Sequence, residues 1–180
     1  MSFDFNVYEI LLLQEEDSTS FFNLIEKNKE RLSDFFAGTV AKTTTLKATQ
    51  AYCKEVANRI EHRTYFPYLI KEKASEKLVG FIDIKNIDWE VPKAELGTFI
   101  DADFEGHGII THHLTQLIDT IVKEYGFKKL FCRIAKENKR SIHVALKCGF
   151  EYEGTIRRDY RTTDGRLVDL NYYGKLFDNL

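Results

Sequence analysis

Hydrophobic and polar positions divide the first third of the chain into one strand and two helices. Residues 7–13 form an apolar run typical of a strand, and Asp17 and Ser18 are suitable N-caps for a helix that extends through Phe36. Apolar side chains at helical spacing predict a second helix over residues 45–62. Two amphipathic helices are therefore expected before the main group of strands.

From residue 65 onward the pattern changes to one dominated by strands. Gly106 and Gly108 introduce a helix that carries apolar residues from Ile109 to Tyr125, and Gly126 is suited to the left-handed position at its end. Asn138 is a suitable N-cap for a short helix ending at Gly149. The remaining segments predict strands at residues 68–71, 78–84, 94–100, 129–134, 150–157 and 167–177. The first two of these strands are expected to form a hairpin, and an Asp-Gly turn joins the last two.

This order of elements predicts an α/β protein with a mixed central sheet of about seven strands and helices on both faces. The chain has 180 residues, of which 43% are hydrophobic, and no shift in composition divides it. That length supports one substantial core, so we expect a single domain over residues 1–180.

Charge and cysteine content restrict the class of protein and its environment. The formal net charge is −2 with both signs interspersed, which disfavours nucleic acid as a partner. Three cysteines without a C-x-x-C pair indicate neither a disulfide framework nor a zinc site. The chain shows neither a basic leader with an apolar core nor a run near the roughly 20 apolar residues of a membrane span. A cytoplasmic protein without a membrane partner is expected.

The segment from Asp103 to Thr111 carries the clearest chemical signal, because it connects a predicted strand directly to a predicted helix. Glycines at 106 and 108 remove β-carbons, so backbone N–H groups at the helix start can converge on an anion such as a pyrophosphate. The plainer alternative is a tight strand-to-helix turn. A dinucleotide-binding fingerprint would need Gly or Ala where Thr111 stands, and no Gly-Lys-Ser/Thr of a P-loop occurs.

Three sequence pieces form a recognisable set: A-E-L-G-T-F-I-D at 94–101, G-H-G-I-I-T at 106–111, and N-K-R-S-I-H-V-A-L-K-C-G-F at 138–150, followed by E-G at 153–154. Through these pieces, residues 95–154 resemble the GNAT superfamily of N-acetyltransferases, in particular the branch of the RimJ and RimL ribosomal-protein N-terminal acetyltransferases. The resemblance implies the GNAT fold, with strands that splay apart at the cofactor site, and acetyl-CoA as acyl donor without a metal. A homodimer is a further expectation from the family.

The resemblance also implies which residues bind acetyl-CoA. The glycine segment would hold the pyrophosphate, backbone groups of the preceding strand would pair with the pantetheine arm, and Asn138 would contact that arm. The implied cofactor-binding residues are Phe99, Ile100, Gly106, His107, Gly108, Ile109, Ile110, Thr111 and Asn138. Asp103 departs from the family pattern, which has Gln or Arg at that position, so a phosphate contact from this side chain is not expected.

Acetyl transfer to an amine requires a group that removes a proton, since amines are mostly protonated at neutral pH. Glu95 is the candidate base, and Ser141 is the candidate acid that protonates the departing thiolate. Each has an alternative: Glu95 as a solvent-facing residue or an ion-pair partner of Lys93 or Arg133, and Ser141 as a polar residue in the first helical turn.

Other reactive side chains have simpler explanations. The spacing of His107, His112 and His113 does not favour metal ligation, since adjacent helical residues point apart. Cys148 lies among apolar neighbours and is expected to be structural. Tyr172 and Tyr173 alternate across the last strand, so one of them could line the acceptor cleft.

The leading interpretation is an N-acetyltransferase that acts on a primary amine, with a protein or peptide N-terminal α-amine as the favoured acceptor. One alternative keeps the fold and donor but acetylates a small amine such as a polyamine, an amino acid or an aminoglycoside. Another is a non-catalytic acyl-CoA sensor on the same fold.

Overall fold

The structure is a computed structural model that describes residues 2–5 and 7–177, with side chains from residue 7 onward. All seven predicted strands are present, and one unpredicted strand precedes them. The strands are β1 (Ser2–Phe5), β2 (Tyr8–Leu12), β3 (Phe66–Glu72), β4 (Lys77–Asp88), β5 (Lys93–Ile100), β6 (Lys129–Ala135), β7 (Glu151–Arg161) and β8 (Leu167–Leu176). They form a mixed sheet in the order β1-β2-β3-β4-β5-β6-β8-β7, as the α/β prediction requires.

The helices of the described residues agree with the predicted ones except near residue 36. They are α1 (Ser18–Leu32), α2 (Ala37–Lys42), α3 (Leu46–Glu61), α4 (Ile109–Tyr125) and α5 (Lys139–Lys147). None of them is long and apolar enough to cross a bilayer. Thr45 caps α3 through a 3.1 Å hydrogen bond from the Ala48 N–H, while Gly126 ends α4 in the left-handed conformation at φ 74°.

The prediction that the first helix continues through Phe36 was wrong. The amides of Phe35 and Phe36 both donate to the Leu32 carbonyl, which turns the chain before α2 begins. Phe36 packs its ring 5.2 Å from that of Phe99, whereas Phe35 remains 44% exposed. The apolar periodicity predicted that both phenylalanine rings belong to the buried face of the helix, although only the Phe36 ring points inward.

Contacts within the chain define two compact units, which share β4 and β5. The first unit comprises Met1–Asp83 and Thr98–His107. Its core lies between α1, α3 and the adjoining strands, and it is rich in aromatic rings. The Phe21 ring lies 5.2 Å from that of Phe81, which in turn lies 5.6 Å from that of Phe99. Burial of such large side chains is the main source of stability in this unit.

The second unit comprises Ile84–Gly97 and Gly108–Leu180. It contains α4, α5 and the strands β6, β8 and β7, with Arg133 of β6 directly opposite Tyr172 of β8. Apolar side chains at helical spacing bury one side of α4: Ile109, Ile110, Leu114, Leu117, Ile118, Ile121 and Val122. That residues 1–180 form a single domain stays a prediction, because the presence of two compact units is compatible with one domain or with two.

Candidate active site

The start of α4 has the open backbone geometry that the glycine pattern predicts. Gly108 is the N-cap in the left-handed conformation at φ 72°, and no side chain of the described residues caps it. The first hydrogen bond within the helix runs from the His112 N–H to the Gly108 carbonyl, at 3.0 Å. The amides of Ile109, Ile110 and Thr111 precede that bond, so they are available to an external acceptor. A β-carbon added to Gly106 or Gly108 would meet no atom within 4 Å.

Strand β5 pairs with β6 over only part of its length. The parallel register covers Lys93, Ala94 and Glu95, which lie opposite Lys129, Leu130 and Phe131. Both strands continue beyond this ladder, β5 to Ile100 and β6 to Ala135. The ladder therefore ends at Glu95, where the fold prediction expects the strands to splay.

Phe99 and Ile100 lie in the last part of β5. The Phe99 side chain is buried in the aromatic core of the first unit. Its carbonyl oxygen lies 3.1 Å from the point that a β-carbon on Gly80 would occupy, so glycine permits the close approach of β4. The Ile100 carbonyl accepts a long hydrogen bond, 3.4 Å, from Arg31 of α1. Their predicted backbone contact with pantetheine stays a prediction.

Asn138 and Ser141 form the capped first turn of α5. The Asn138 side-chain oxygen accepts a 3.2 Å hydrogen bond from the Ser141 backbone N–H, which is the predicted N-cap. The Ser141 side chain is half-buried, and its hydroxyl makes no hydrogen bond within the described residues. The family resemblance places the Asn138 side chain against the pantetheine arm and the Ser141 hydroxyl near the sulfur, and both contacts stay predictions.

Glu95 is a buried carboxylate that is held from two sides. Its Oε2 atom accepts a 2.9 Å hydrogen bond from Arg133 Nε and a 2.6 Å hydrogen bond from Asn86 Nδ2. The side chain is 7% exposed. Of the two ion-pair partners considered from the sequence, Arg133 is therefore the actual one, whereas Lys93 lies 3.7 Å from Asp88. The role of Glu95 as general base stays a prediction.

Arg133 links Glu95 to a second carboxylate that the sequence pattern did not identify. Its NH1 atom lies 3.2 Å from Asp159 Oδ2, which also accepts a 3.0 Å hydrogen bond from the Tyr172 hydroxyl. Burial by itself lowers the pKa of Arg133, but Glu95 and Asp159 raise it above its ordinary value. The Tyr172 ring stacks on Phe131 at 5.9 Å. One face of the second unit thus presents an array of one guanidinium, two carboxylates and one phenol.

The two tyrosines of the last strand separate as their alternation predicts. Tyr173 is 5% exposed and packs edge-on against Tyr152, with ring centroids 5.7 Å apart. Tyr172 is half-buried and belongs to the polar array. Of the two tyrosines, only Tyr172 therefore presents its hydroxyl to that array.

His113 and the three cysteines lie in buried, structural surroundings, whereas His107 and His112 are exposed. Within residues 2–5 and 7–177, no group of three or more His, Cys, Asp or Glu side chains could hold a metal ion. His113 is buried, and its Nδ1 atom lies 2.7 Å from the Ile109 carbonyl oxygen. All three cysteines are buried and form no disulfide. Burial raises the pKa of the Cys148 thiol, which disfavours a nucleophilic thiolate.

Comparison with known proteins identifies the family. The profile described as the acetyltransferase (GNAT) domain matches residues 9–151. This chain belongs to the GNAT acetyltransferase family. YdaF of Bacillus subtilis strain 168, provisionally named a ribosomal N-acetyltransferase, is 31% identical over 93% of this chain and 90% of its own length. A spermidine N(1)-acetyltransferase of Vibrio cholerae is 22% identical over 87% of this chain and 86% of its own.

A solved structure of a RimL ribosomal L7/L12 α-N-protein acetyltransferase in complex with coenzyme A has the same fold. It superposes with a TM-score of 0.88 at 19% identity, covering 97% of this chain and 96% of the other. The predicted family, GNAT fold and enzyme class are confirmed. This GNAT acetyltransferase therefore has the fold of an enzyme that binds coenzyme A.

Proposed function

We propose that this GNAT enzyme transfers the acetyl group of acetyl-CoA to a primary amine, with a protein or peptide N-terminal α-amine as the acceptor. One observation carries the proposal: α4 begins at a left-handed glycine whose neighbouring amides have no side-chain cap, and it is the next α-helix after the strand whose ladder ends at Glu95. A helix start of this kind binds phosphate groups through its amides and its dipole.

The donor-binding residues follow from this geometry and from the family resemblance. Gly106, His107 and the first residues of α4 hold the pyrophosphate, which agrees with the open space at Gly108, where an added β-carbon would meet no atom within 4 Å. Phe99 and Ile100 pair with the pantetheine arm through their backbone groups, as an added strand would. Asn138 contacts the arm with the amide nitrogen that its capping bond leaves available.

Acetyl-CoA supplies an activated acetyl group, and the protein supplies proton transfer and charge stabilisation. Glu95 accepts a proton from the ammonium, directly or through water, so that the neutral amine can attack the thioester carbonyl carbon. A backbone N–H near Phe99 or Ile100 stabilises negative charge on the carbonyl oxygen. Ser141 donates a proton to the sulfur as the carbon–sulfur bond breaks, and the second proton lost by the attacking nitrogen returns to Ser141 through water, leaving an amide and a thiol.

Two groups of relatives support two acceptor classes. YdaF and the RimL structure carry the names of ribosomal N-acetyltransferases, which favours an N-terminal α-amine. The Vibrio cholerae relative acts on spermidine by its name, which supports a polyamine as the second candidate. The array around Arg133 suits either acceptor, because two carboxylates facing one guanidinium leave a net negative charge for an ammonium group.

A thiol-release assay with acetyl-CoA tests the proposal and separates the acceptors. Peptides with free N-termini, spermidine, spermine and an aminoglycoside serve as the panel, and N-acetylated forms of the same peptides are the controls. We expect turnover with a free N-terminus and none with its blocked form. Higher kcat/KM for spermidine would favour the polyamine, and tight coenzyme A binding without turnover of any amine would favour a sensor.

Variants of the two proposed proton-transfer residues test the chemistry. Glu95→Gln and Ser141→Ala should each lower kcat by roughly 10²-fold or more, the size expected for general acid–base catalysis. Their dissociation constants for coenzyme A should stay within about twofold of the wild-type value, since neither side chain is assigned to the phosphates. Unchanged kcat in Glu95→Gln would leave that residue as an ion-pair partner alone.

We further propose that residues 1–180 act as one catalytic domain in the cytoplasm. The alignment of YdaF over 93% of the chain supports the single domain, and three cysteines without a disulfide suit a reducing compartment. A homodimer remains the family expectation, which sedimentation equilibrium would test.

A further inference from the structure

Three carboxylates lie on the chain directly before the proposed phosphate site. Asp101, Asp103 and Glu105 occur within five residues, and the next residue is Gly106. Negative charges upstream of a site for a polyanion oppose binding, because the potentials of neighbouring charges add. The segment therefore needs compensating positive charge if coenzyme A is to bind beside it.

Helix α1 supplies that charge from the same unit. Lys27 Nζ lies 2.8 Å from Asp101 Oδ2 and 2.6 Å from Asp103 Oδ2. One turn further along α1, Arg31 forms an ion pair with Glu105. The two cations thus contact all three carboxylates, and the cluster changes from three negative charges to a net charge near −1.

A buried asparagine fixes the same segment against α1. Asn28 Oδ1 accepts a 3.1 Å hydrogen bond from the Ala102 backbone N–H and a 2.9 Å hydrogen bond from Arg31 NH1. Its Nδ2 donates to the Leu24 carbonyl at 3.0 Å, and the side chain is 1% exposed. The loop residues next to Lys27 and Arg31 therefore have a defined position on the helix.

The contacts between Lys27 and the aspartates favour the charged forms of Lys27 and Asp103. Hydrogen bonds to Asp101 and Asp103 raise the pKa of Lys27 above its ordinary value. The hydrogen bond from Lys27 likewise lowers the pKa of the Asp103 carboxyl. An aspartate thus occupies the position where the family pattern has Gln or Arg, and its charge is balanced by a lysine from another element.

We propose that Lys27 and Arg31 are positioning residues that neutralise the acidic segment at 101–105 and so set the affinity for the phosphates of acetyl-CoA. The inference rests on the proposed function, because it requires the glycine segment to bind those phosphates. Neither cation needs to touch the donor. Their effect acts through the carboxylates that they neutralise and is therefore confined to charged donors.

The test compares acetyl-CoA with S-acetyl-pantetheine, which carries the same thioester but no phosphate. Lys27→Met is the test variant, Asp103→Asn is its compensating partner, and Lys29→Met is the matched control. Lys29 lies on the same helix, and among the described residues it forms an ion pair only with the neighbouring Glu26, at 3.3 Å. Circular dichroism of each variant checks that the overall helix content is unchanged.

At low ionic strength, Lys27→Met should lower kcat/KM for acetyl-CoA roughly three- to tenfold, as expected for loss of one positive charge from the segment that adjoins the proposed phosphate site. The value for S-acetyl-pantetheine and the value for Lys29→Met should not change. Adding Asp103→Asn should restore at least part of the loss, and high salt should reduce the difference from wild type.

Each other outcome overturns the inference. An equal loss with both donors would make Lys27 a structural residue only, and an unchanged kcat/KM with acetyl-CoA would remove it from donor binding. No rescue by Asp103→Asn would contradict charge neutralisation. Failure of the wild-type protein itself to bind coenzyme A would instead refute the proposed function on which the inference rests.

Discussion

The burial of the ion pair between Arg133 and Glu95 allows the loss of stability on removing Arg133 to be predicted. Arg133→Met keeps most of the side-chain volume but removes the cation. Glu95 is then left with a buried charge, since its side chain is only 7% exposed while that of Arg133 is 23% exposed. Removing one partner of a fully buried pair costs about 3–5 kcal/mol. Because Arg133 is partly exposed to water, we expect a loss of about 2–4 kcal/mol here.

A double-mutant cycle isolates the interaction from the loss of packing. Glu95→Gln alone should cost about 1 kcal/mol, because Arg133 keeps its second partner Asp159 at 3.2 Å. The double variant Glu95→Gln/Arg133→Met has no buried carboxylate at residue 95 and should be more stable than Arg133→Met alone. The coupling energy should therefore be at least about 1 kcal/mol.

Urea denaturation followed by circular dichroism measures the free energy of unfolding of the wild type and the three variants. For a chain of 180 residues, a loss of about 2–4 kcal/mol corresponds to a decrease in Tm of roughly 5–15 °C. Strictly additive single effects, or a loss below about 0.5 kcal/mol in Arg133→Met, would refute the conclusion that Arg133 holds Glu95 in place.

Three further predictions concern single side chains. Thr45→Ala should lower the free energy of unfolding in urea by about 1 kcal/mol, because the Thr45 hydroxyl caps α3 at 3.1 Å, whereas Thr45→Ser should preserve it. Burial lowers the pKa of His113, so as the pH falls the unfolded chain takes up a proton at this histidine before the folded protein does. The free energy of unfolding should therefore be unaffected by His113 above about pH 6.5 and should decrease below it. In His113→Gln this decrease, measured by urea denaturation at each pH, should be less steep. Burial raises the pKa of Cys53 to about 11 and also raises the pKa of Cys148. Ellman's reagent should therefore react slowly with the thiols of the native protein, whereas in denaturant it should react rapidly with all three.

Local rules predicted the elements whose pattern and end signals agree. Asn138 and Gly126 mark helix ends that the structure contains, since each residue satisfies a backbone requirement within its own turn. The same rules missed α2, because Phe35 and Phe36 continue the apolar period past the turn that ends α1. Strand β1 was missed as well, in a segment too short for a periodic signal.

The site was predictable where it depends on adjacent residues, and not where it depends on distant ones. Gly106 and Gly108 could be assigned to a helix start from the sequence alone. Asp159 could not, because β7 shifts its register against β8 between Ile156 and Tyr160 and Arg158 adopts φ 54°. The contacts of Lys27 with Asp101 and Asp103 join residues more than 70 positions apart, a separation that no local pattern encodes.

The central claim is that the amides at the start of α4 bind the phosphates of the acyl donor. Its most direct test is calorimetric titration of coenzyme A into the wild type, Gly108→Ala and Gly126→Ala. The two glycines lie at opposite ends of α4 with φ of 72° and 74°, and neither would bring a β-carbon within 4 Å of another atom. Both substitutions should therefore carry a similar strain of about 1 kcal/mol.

We predict binding to the wild type, nearly the same Kd for Gly126→Ala, and a Kd at least about tenfold higher for Gly108→Ala, where the new methyl group would stand at the proposed phosphate position. Equal dissociation constants for the two variants, or no heat of binding with the wild type, would contradict the account.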